Sequence, residues 1–289
     1  MNRFVYPEIK SGLYLVSLPV GCLSDISFRA LHMLSNSDYI AGEDTRSVRS
    51  LFKLLKISKP VKSIISYHDH SSAHTRGKII GLIKQGKSVA LVSDAGTPLI
   101  SDPGYKLVKT TIEEGFEVFS VPGPSSVIAA LTVSGLPTDT FSFLGFLPNT
   151  KSKKKKLLET YLNLGSSLII FESGKRLQKT LELLAETCRP STEICICREL
   201  TKFNEEITRF KAEEGAKVLK RMRSSKGEFV IIVGKNEARG FDLKNLDEQL
   251  KKLRKSMSMK GSVDLLAQQM KIPRKTIYKK ALTVFKDKN

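Results

Sequence analysis

The sequence has no tryptophan, only four cysteines, and far fewer acidic than basic residues, with 29 Asp and Glu against 48 Lys and Arg. The cysteines form no Cys-x-x-Cys pair, and their only close spacing, Cys195-Ile196-Cys197, alternates along a predicted strand. This pattern fits neither a zinc knuckle nor a disulfide framework and favours buried, reduced thiols. No stretch approaches about 18 consecutive apolar residues, so we expect no membrane span. The first ten residues contain no apolar run followed by a cleavage site, so we expect no signal peptide and a cytoplasmic protein.

What the chain does contain is enough apolar sequence for two cores. Of its 289 residues, 40% are hydrophobic, and this length predicts about two domains. The net charge of +19 attracts polyanions, of which nucleic acid is the usual one, although a lysine-rich proteome gives the same composition. Placement favours nucleic acid, because the basic residues are concentrated in residues 151–156, 217–226 and 244–288.

The first 121 residues alternate short apolar runs with segments of helical period. This pattern is typical of βαβ units and a mostly parallel sheet, and Ser24 or Asp25 is positioned to cap the first helix. Pro122-Gly123-Pro124 interrupts the pattern, which then restarts with more closely spaced strands that predict a mixed sheet. We therefore predict an α/β protein with two α/β domains, residues 1–121 and 122–236.

Residues 237–289 are charged and helical in composition. A helix from about residue 263, a short turn containing Pro273 and a basic helix from Arg274 resemble a helix-turn-helix. A plain helical hairpin with a basic face would give the same pattern. The sequence thus predicts a small basic helical extension after the second domain.

Four loops that follow predicted strands are candidates for a ligand site. They are residues 18–21, 92–104, 122–126 and 198–202. Ligands of parallel α/β sheets bind beyond the carboxyl ends of the strands, and glycine and proline in these loops allow close, fixed backbone approach. Each loop taken alone is also compatible with an ordinary turn.

Several motifs with known chemistry are absent from the sequence. It contains no GxGxxG or GxxxxGK[ST] fingerprint, and neither HExxH nor GxSxG. His68 and His70 would share a face only in extended backbone, and no third ligand is obvious. We therefore expect no metal site.

Six segments in chain order carry a resemblance to one family. The most specific is the 13-residue loop VSDAGTPLISDPG at residues 92–104; the others are residues 41–46, 66–70, 121–125, 145–148 and 198–202. Together they resemble the ribosomal small-subunit RNA 2′-O-methyltransferase I family, which belongs to the tetrapyrrole-methylase superfamily. The resemblance extends over about residues 12 to 235.

The resemblance implies an S-adenosylmethionine-dependent enzyme that methylates the ribose 2′-hydroxyl of a cytidine in the decoding centre of 16S ribosomal RNA. Its partner would be 16S rRNA or the small ribosomal subunit. The resemblance also implies a homodimer and two domains of the tetrapyrrole-methylase type with a cofactor cleft between them. The family's cofactor contacts fall on Leu18, Pro19, Asp94, Ala95, Gly96, Thr97, Ile100, Ser125, Ser126, Glu199 and Leu200.

Two positions depart from the family pattern. Cys22 stands where the family usually has an amide side chain, and Lys175 stands where it tends to have a histidine. Both departures concern details of the RNA site rather than the class of enzyme.

Methyl transfer to a ribose oxygen mainly requires alignment of the reactants and exclusion of water, and a nearby base would help. Asp25, Glu43 and Asp44 are acidic candidates near strand ends. Asp25 is equally suited to capping a helix, and Glu43 and Asp44 to hydrogen bonding within a loop. The expected phosphate contacts are Arg46, Arg49, Lys153, Lys154, Lys155 and Lys156.

Two other functions remain open on the sequence. A small-molecule methyltransferase acting on a tetrapyrrole acid would share the fold, and a non-catalytic RNA-binding protein would share the charge. The basic tail and the lysine run argue against the first, and the intact central loop argues against the second. The loops at residues 18–21, 94–104 and 125–126 contain no lysine, which suits a cofactor with a cationic sulfur.

Overall fold

Two five-stranded sheets, followed by a group of three helices, make up the protein. The computed structural model describes residues 8–68, 71–235, 243–254, 256–270 and 274–286. Among these residues, no helix combines the length and the apolar character that crossing a membrane requires.

The first sheet is entirely parallel. Its strands are β1 (Gly12–Val16), β2 (Tyr39–Gly42), β3 (Ile64–Ser66), β4 (Ser88–Val92) and β5 (Val118–Val121), in the order β3-β2-β4-β1-β5. Its helices are α1 (Phe28–Asn36), α2 (Thr45–Leu54), α3 (Ala73–Lys84) and α4 (Tyr105–Glu113). All five residues of β4 are buried, because helices cover both faces of the sheet. The predicted parallel sheet is confirmed.

The cap of α1 differs from the prediction. Neither Ser24 nor Asp25 caps this helix, since both lie in or beside a 3₁₀ turn at Leu23–Asp25. The N-cap is Ser27, whose hydroxyl accepts a hydrogen bond from the Ala30 amide at 3.1 Å and donates to the Pro122 carbonyl at 3.2 Å. The helix therefore begins later than the sequence pattern suggested.

The second sheet is mixed, as predicted. Its strands are β6 (Phe141–Phe146), β7 (Ser167–Ser173), β8 (Glu193–Arg198), β9 (Glu206–Lys211) and β10 (Glu228–Val233), in the order β6-β7-β10-β8-β9. Only β6 and β7 pair in parallel, and β10 runs antiparallel to both of its neighbours. Helix α5 (Ser126–Ser134) packs on one face; α6 (Lys151–Leu162), α7 (Gly174–Thr187) and α8 (Gly215–Val218) cover the other.

The C-terminal part is a helical unit with its own core. It contains α9 (Leu243–Leu253), α10 (Met259–Met270) and α11 (Arg274–Lys286). Their shared buried residues are Leu246, Leu250, Val263, Leu266, Ile277, Ala281 and Val284. The sequence singled out the last two helices, and α9 adds a third, so the unit is more than a hairpin. Residues 271–273, the predicted turn, lie outside the described residues.

The predicted α/β class, with two sheet-based units and a helical extension, is confirmed. The boundary predicted after residue 121 coincides with the end of β5. The boundary predicted after residue 236 falls outside the described residues, so both domain limits stay predictions.

Replacing Gly104 by alanine should destabilise the protein by about 2 to 4 kcal/mol, because strain and overpacking act together. Gly104 has φ of +137°, and an added Cβ would lie 2.8 Å from Leu91 Cδ2 and 2.9 Å from Leu99 Cδ1. Gly86→Ala is the matched control, since Gly86 has φ of +80° but no neighbour within 4 Å. We expect it to cost about 1 kcal/mol from backbone strain alone. Urea unfolding measures both, and equal losses would contradict the packing argument.

Candidate functional site

A pair of backbone hydrogen bonds joins the loops that follow β1 and β4. The Leu18 amide donates to the Gly96 carbonyl at 2.8 Å, and the Gly96 amide donates to the Leu18 carbonyl at 3.1 Å. Gly96 has φ of +70°, which glycine adopts at no steric cost. Two loops from neighbouring strands are therefore held together just beyond the edge of the first sheet.

A hydroxyl chain brings in a third loop. Thr97 Oγ1 donates to the Pro124 carbonyl at 3.0 Å and lies 3.1 Å from Ser17 Oγ. Because Thr97 gives its only hydroxyl proton to Pro124, Ser17 must donate to Thr97. The loops after β1, β4 and β5 thus meet at Thr97.

The central loop contains unusual backbone geometry. Leu99 and Ser101 have φ of +72° and +64°, values that side-chain-bearing residues rarely adopt. Such strain persists only where surrounding packing fixes the chain, and it concentrates at functional sites.

These loops form one side of a cavity of about 400 Å³ between the two sheets. From the first unit its lining residues are Val20, Ala95, Gly96, Thr97, Ile100, Ser101 and Asp102. From the second they are Ser125, Ser126, Phe146, Phe171, Glu172, Ser173, Cys197, Leu200, Gly227, Glu228, Phe229 and Val230. The volume is in the range of pockets that bind small molecules and cofactors.

The lining combines apolar walls, hydroxyl groups and negative charge. The rings of Phe146 and Phe171 meet edge to face, with their centroids 5.7 Å apart. Asp102, Glu172 and Glu228 line the cavity, whereas its described lining includes no Lys, Arg or His. The lining therefore suits a ligand with apolar surface, and no basic side chain among its described residues repels a cation.

Cys197 lines the cavity and contacts a second buried thiol. A hydrogen bond with the Cys195 thiol, 3.9 Å away, and burial both raise the pKa of Cys197. Cys188, Cys195 and Cys197 are buried free thiols, as predicted, whereas Cys22 is free but exposed, so the prediction of burial is wrong for that residue.

A smaller cavity of about 190 Å³ adjoins the first turn and α2. It is lined by Leu18, Pro19, Gly21, Leu23, Ser47, Val48, Leu51, Leu54, Ser93 and Asp94. The two cavities share the Leu18–Gly96 bridge as a boundary, since Leu18 lines one and Gly96 the other.

The predicted cofactor residues divide between the two cavities. Ala95, Gly96, Thr97, Ile100, Ser125, Ser126 and Leu200 line the larger one. Leu18, Pro19 and Asp94 line the smaller one, and Glu199 lines neither. The structure thus brings the four predicted loops together, and contact with a cofactor stays a prediction for each residue.

Glu199 organises the loop at residues 199–205 instead of facing the cavity. Its Oε1 accepts hydrogen bonds from the Glu228 amide at 2.9 Å and from Lys202 Nζ at 3.1 Å. These two donors, the Glu228 amide first, hold the pKa of Glu199 below its usual range. Burial lowers the pKa of Lys202, but its ion pairs with Glu228 and Glu199 outweigh that effect. The pKa of Lys202 is therefore raised above its usual value.

The same loop contacts the first turn. The Cys22 amide donates to Thr201 Oγ1 at 3.1 Å, while the Cys22 side chain is exposed. At Gly21 an added Cβ would lie 2.5 Å from Lys202 Cγ and 2.8 Å from the Leu200 carbonyl oxygen. Glycine is therefore required where the two units touch.

The three candidate bases line neither cavity among the described residues. Asp44 caps α2, accepting from the Arg46 amide at 2.8 Å and pairing with the Arg46 guanidinium at 2.9 Å. Hydrogen bonds from the Arg46 side chain and amide lower the pKa of Asp44, which makes it a weaker base. Asp25 is exposed in its 3₁₀ turn, and the Glu43 carbonyl accepts from Ser66 Oγ at 3.4 Å.

The predicted phosphate contacts are exposed with one exception. Arg46, Arg49, Lys153, Lys155 and Lys156 lie at the surface. The prediction for Lys154 is wrong, because its side chain is only 7% exposed and its ammonium donates to Thr180 Oγ1 at 3.0 Å. Helical spacing could have shown this, since Lys154, Leu158 and Leu162 are four residues apart on the buried face of α6.

Beyond Leu200, the lining residues that the second sheet contributes were not predicted from the sequence. Phe171, Glu172 and Ser173 come at the end of β7, and Cys197 near the end of β8. Residues 227–230 come at the start of β10, which reaches the same edge because it is antiparallel to both neighbours. The beginning of a strand lies at this edge only where the strand is antiparallel to its neighbours, and no local sequence pattern indicates that direction.

No group of three or more His, Cys, Asp or Glu side chains in the described part of the chain could hold a metal ion. His70 lies outside the described residues, so the His68 and His70 pair is not described here.

Two sheets with a ligand-sized cavity where their loops meet define a class of fold that solved structures share. Diphthine synthase matches with a TM-score of 0.60 at 13% identity, covering 77% of this chain and 90% of that one. Uroporphyrin-III-C-methyltransferase from Thermus thermophilus matches with a TM-score of 0.52 at 18% identity, covering 78% and 94%. These likenesses establish the fold.

The sequence comparisons establish the family. The model of the Tetrapyrrole (Corrin/Porphyrin) Methylases matches residues 12–216. Ribosomal RNA small subunit methyltransferase I of Rickettsia prowazekii is 46% identical over 79% of this chain and 80% of its own. The protein of the same name from Mesorhizobium japonicum is 38% identical over 95% and 92%.

The chain therefore belongs to the tetrapyrrole methylase family, and within it to the group of ribosomal RNA small subunit methyltransferase I proteins. The resemblance found in the sequence is confirmed, and with it the assignment of an enzyme that transfers methyl groups.

Glu199 should make stability depend on pH in the acid range. Because its folded-state pKa is lowered, the carboxylate stabilises the protein above its unfolded pKa of about 4.3 and loses this effect as pH falls through the folded pKa. Glu199→Gln should lower Tm at pH 7, and its difference from the wild type should shrink towards about pH 3. Thermal unfolding across this range measures it, and a constant difference would contradict the assignment.

Proposed function

We propose that this protein uses S-adenosylmethionine to methylate the ribose 2′-hydroxyl of a cytidine in the decoding centre of 16S ribosomal RNA. The observation that carries the proposal is the cavity between the units, whose described lining contains no basic residue, in a chain whose relatives are named ribosomal RNA small subunit methyltransferase I.

The residues of the larger cavity fit this cofactor. When bound, S-adenosylmethionine supplies a methyl group activated by a positively charged sulfur. No Lys, Arg or His is among the described lining residues, so no basic side chain opposes the sulfonium there, and Ile100, Leu200 and the two phenylalanine rings suit an adenine. Ser125 and Ser126, at the start of α5, line the cavity, and a helix start suits a carboxylate.

The contribution of the protein to catalysis is alignment and exclusion of water. The Leu18–Gly96 bridge and the Ser17–Thr97–Pro124 chain fix three loops before any ligand is present. The Thr201 contact with Cys22 holds the loop of the second unit against the first turn. Such fixed geometry can supply much of the barrier reduction for an in-line transfer. Asp25 and Glu43 stay as candidates to accept the hydroxyl proton.

Two basic surfaces support the proposal that the substrate is RNA. Lys153, Lys155 and Lys156 are exposed on α6, and Lys275 and Lys279 are exposed on α11 beside Tyr278, which is 44% exposed. Lysines attract the phosphate backbone, and an exposed tyrosine can stack on a base.

The homodimer and the cellular location are parts of the same proposal. Ile128 and Val133 of α5 are 47% and 37% exposed, and they offer apolar surface to a second copy. Sedimentation analysis measures the assembly state. A ribosomal substrate would place the protein in the cytoplasm.

The protein should transfer labelled methyl groups from S-adenosylmethionine to small ribosomal subunits that lack the modification. Mass spectrometry of nuclease digests should locate the label on the ribose of one cytidine. Label on a base, or on another cytidine, would overturn the assignment of the site. Transfer to a tetrapyrrole acid but not to RNA would establish a small-molecule methyltransferase, and no binding of S-adenosylmethionine would leave an RNA-binding protein.

Replacing Lys153, Lys155 and Lys156 together by alanine should weaken RNA binding and lower the slope of log affinity against log salt by about 2 to 3. S-adenosylmethionine affinity should not change, because these side chains are exposed on α6 and do not line the cavity. The triple replacement of Lys78, Lys84 and Lys109 removes the same charge from other helices. Equal effects of the two variants in a filter-binding salt series would show that only net charge matters.

A further inference from the structure

A buried carboxylate lies directly behind the wall of the larger cavity. The side chain of Glu172 in β7 is 0% exposed. Its Oε1 accepts from the Ser173 amide and from Arg176 Nε, both at 3.0 Å, and its Oε2 accepts from Thr180 Oγ1 at 2.6 Å. Helices α6 and α7 supply the side chains that surround it.

Lys154 completes this cluster from α6. Its ammonium donates to Thr180 Oγ1 at 3.0 Å and lies 3.7 Å from Glu172 Oε2. The Thr180 hydroxyl therefore accepts a hydrogen bond from the lysine and donates one to the carboxylate, which fixes its orientation. Burial lowers the pKa of Lys154, and the Glu172 charge opposes that effect.

The cluster is attached to both aromatic residues of the wall. Phe171 and Ser173 flank Glu172 along β7, and since side chains alternate along a strand, they face the cavity while Glu172 faces the helices. Arg176 donates to the Leu147 carbonyl and, at 3.2 Å, to Asn149 Oδ1. It thereby holds the segment that follows Phe146.

A buried cluster of charged groups contributes little net stability to a fold. Burying charged groups costs desolvation energy, and well-packed apolar residues of similar volume often stabilise a core as well or better. A fully hydrogen-bonded cluster does, however, fix the geometry of the groups it joins. The side that it fixes here is the cavity wall.

We infer that Lys154, Glu172, Arg176 and Thr180 are positioning residues that hold the Phe146 and Phe171 wall of the cavity in its ligand-binding geometry. They act through the strand end and the segment after Phe146, without touching the ligand. The role in S-adenosylmethionine binding rests on the proposed function, whereas the role in holding the wall does not.

The test compares Thr180→Val with Thr180→Ser. Valine removes the hydroxyl at nearly constant shape, and serine keeps it. Thr180→Val should weaken S-adenosylmethionine binding about fivefold in calorimetry, through partial loss of hydrogen bonds to charged groups. Thr180→Ser should stay within about twofold of the wild type. With small ribosomal subunits, Thr180→Val should raise KM for the cofactor while kcat changes less than about twofold.

Leu158→Ala is the control for general destabilisation. Leu158 is buried in the same core on α6 but belongs to no part of the cluster. It should lower Tm at least as much as Thr180→Val and leave cofactor affinity within about twofold. If the two variants weaken binding equally, or if Thr180→Val binds like the wild type, the inference is overturned.

A second measurement does not depend on the cofactor. Cys197 lines the wall, and Cys188 is buried after the far end of α7. Thr180→Val should speed alkylation of Cys197 severalfold in peptide mapping, but not that of Cys188. Equal acceleration of both thiols, or none, overturns the inference. Selective acceleration in a protein that fails to bind S-adenosylmethionine would support the inference and overturn the proposed function.

Discussion

The two backbone hydrogen bonds between Leu18 and Gly96 are the constraint on which the site depends. Chain segments that leave neighbouring parallel strands normally diverge into separate crossovers, and loops are the most mobile parts of a fold. Here the two loops pair with each other, and Thr97 then ties in the Pro124 carbonyl. The strained Leu99 and Ser101 backbone is supported by this framework. One side of the cavity is thus organised before a ligand arrives, which lowers the ordering cost of binding.

The second side of the cavity is organised differently. The Glu172 carboxylate and its three side-chain partners hold the end of β7 on the side of the helices. Glu199 holds the start of β10, because its carboxylate accepts a hydrogen bond from the Glu228 amide. The units meet where Thr201 accepts from the Cys22 amide. Backbone pairing on one side and buried charge on the other leave a cavity lined by acidic but not basic residues among those described. The exposed lysines of α6 and α11 lie at the surface instead, where they suit a polyanion.

Helix α6 shows how closely neighbouring lysines can differ. Four lysines follow one another at residues 153–156, yet only Lys154 faces the core, where it contacts Thr180. Composition treats these residues alike, whereas a helix turns by a fixed angle per residue and places each on a different face. The charge of the lysine run predicts that all four lysines are exposed. The spacing of Leu158 and Leu162 instead indicates that the helix face of Lys154 is buried.

The sequence by itself determined the α/β class, the interruption after Val121, the four loops and the family, because periodicity and turn residues act locally and long motifs are specific. It did not determine that Ser27 caps α1, that α9 completes the last unit, or that residues 227–230 line the cavity. Those outcomes were decided by tertiary structure. Strand direction and order determine which chain ends meet at one edge, and the antiparallel β10 brings its beginning to the ends of β7 and β8. No local pattern specifies which distant segments pair. The site therefore depends on both sheets, since each contributes residues to the cavity.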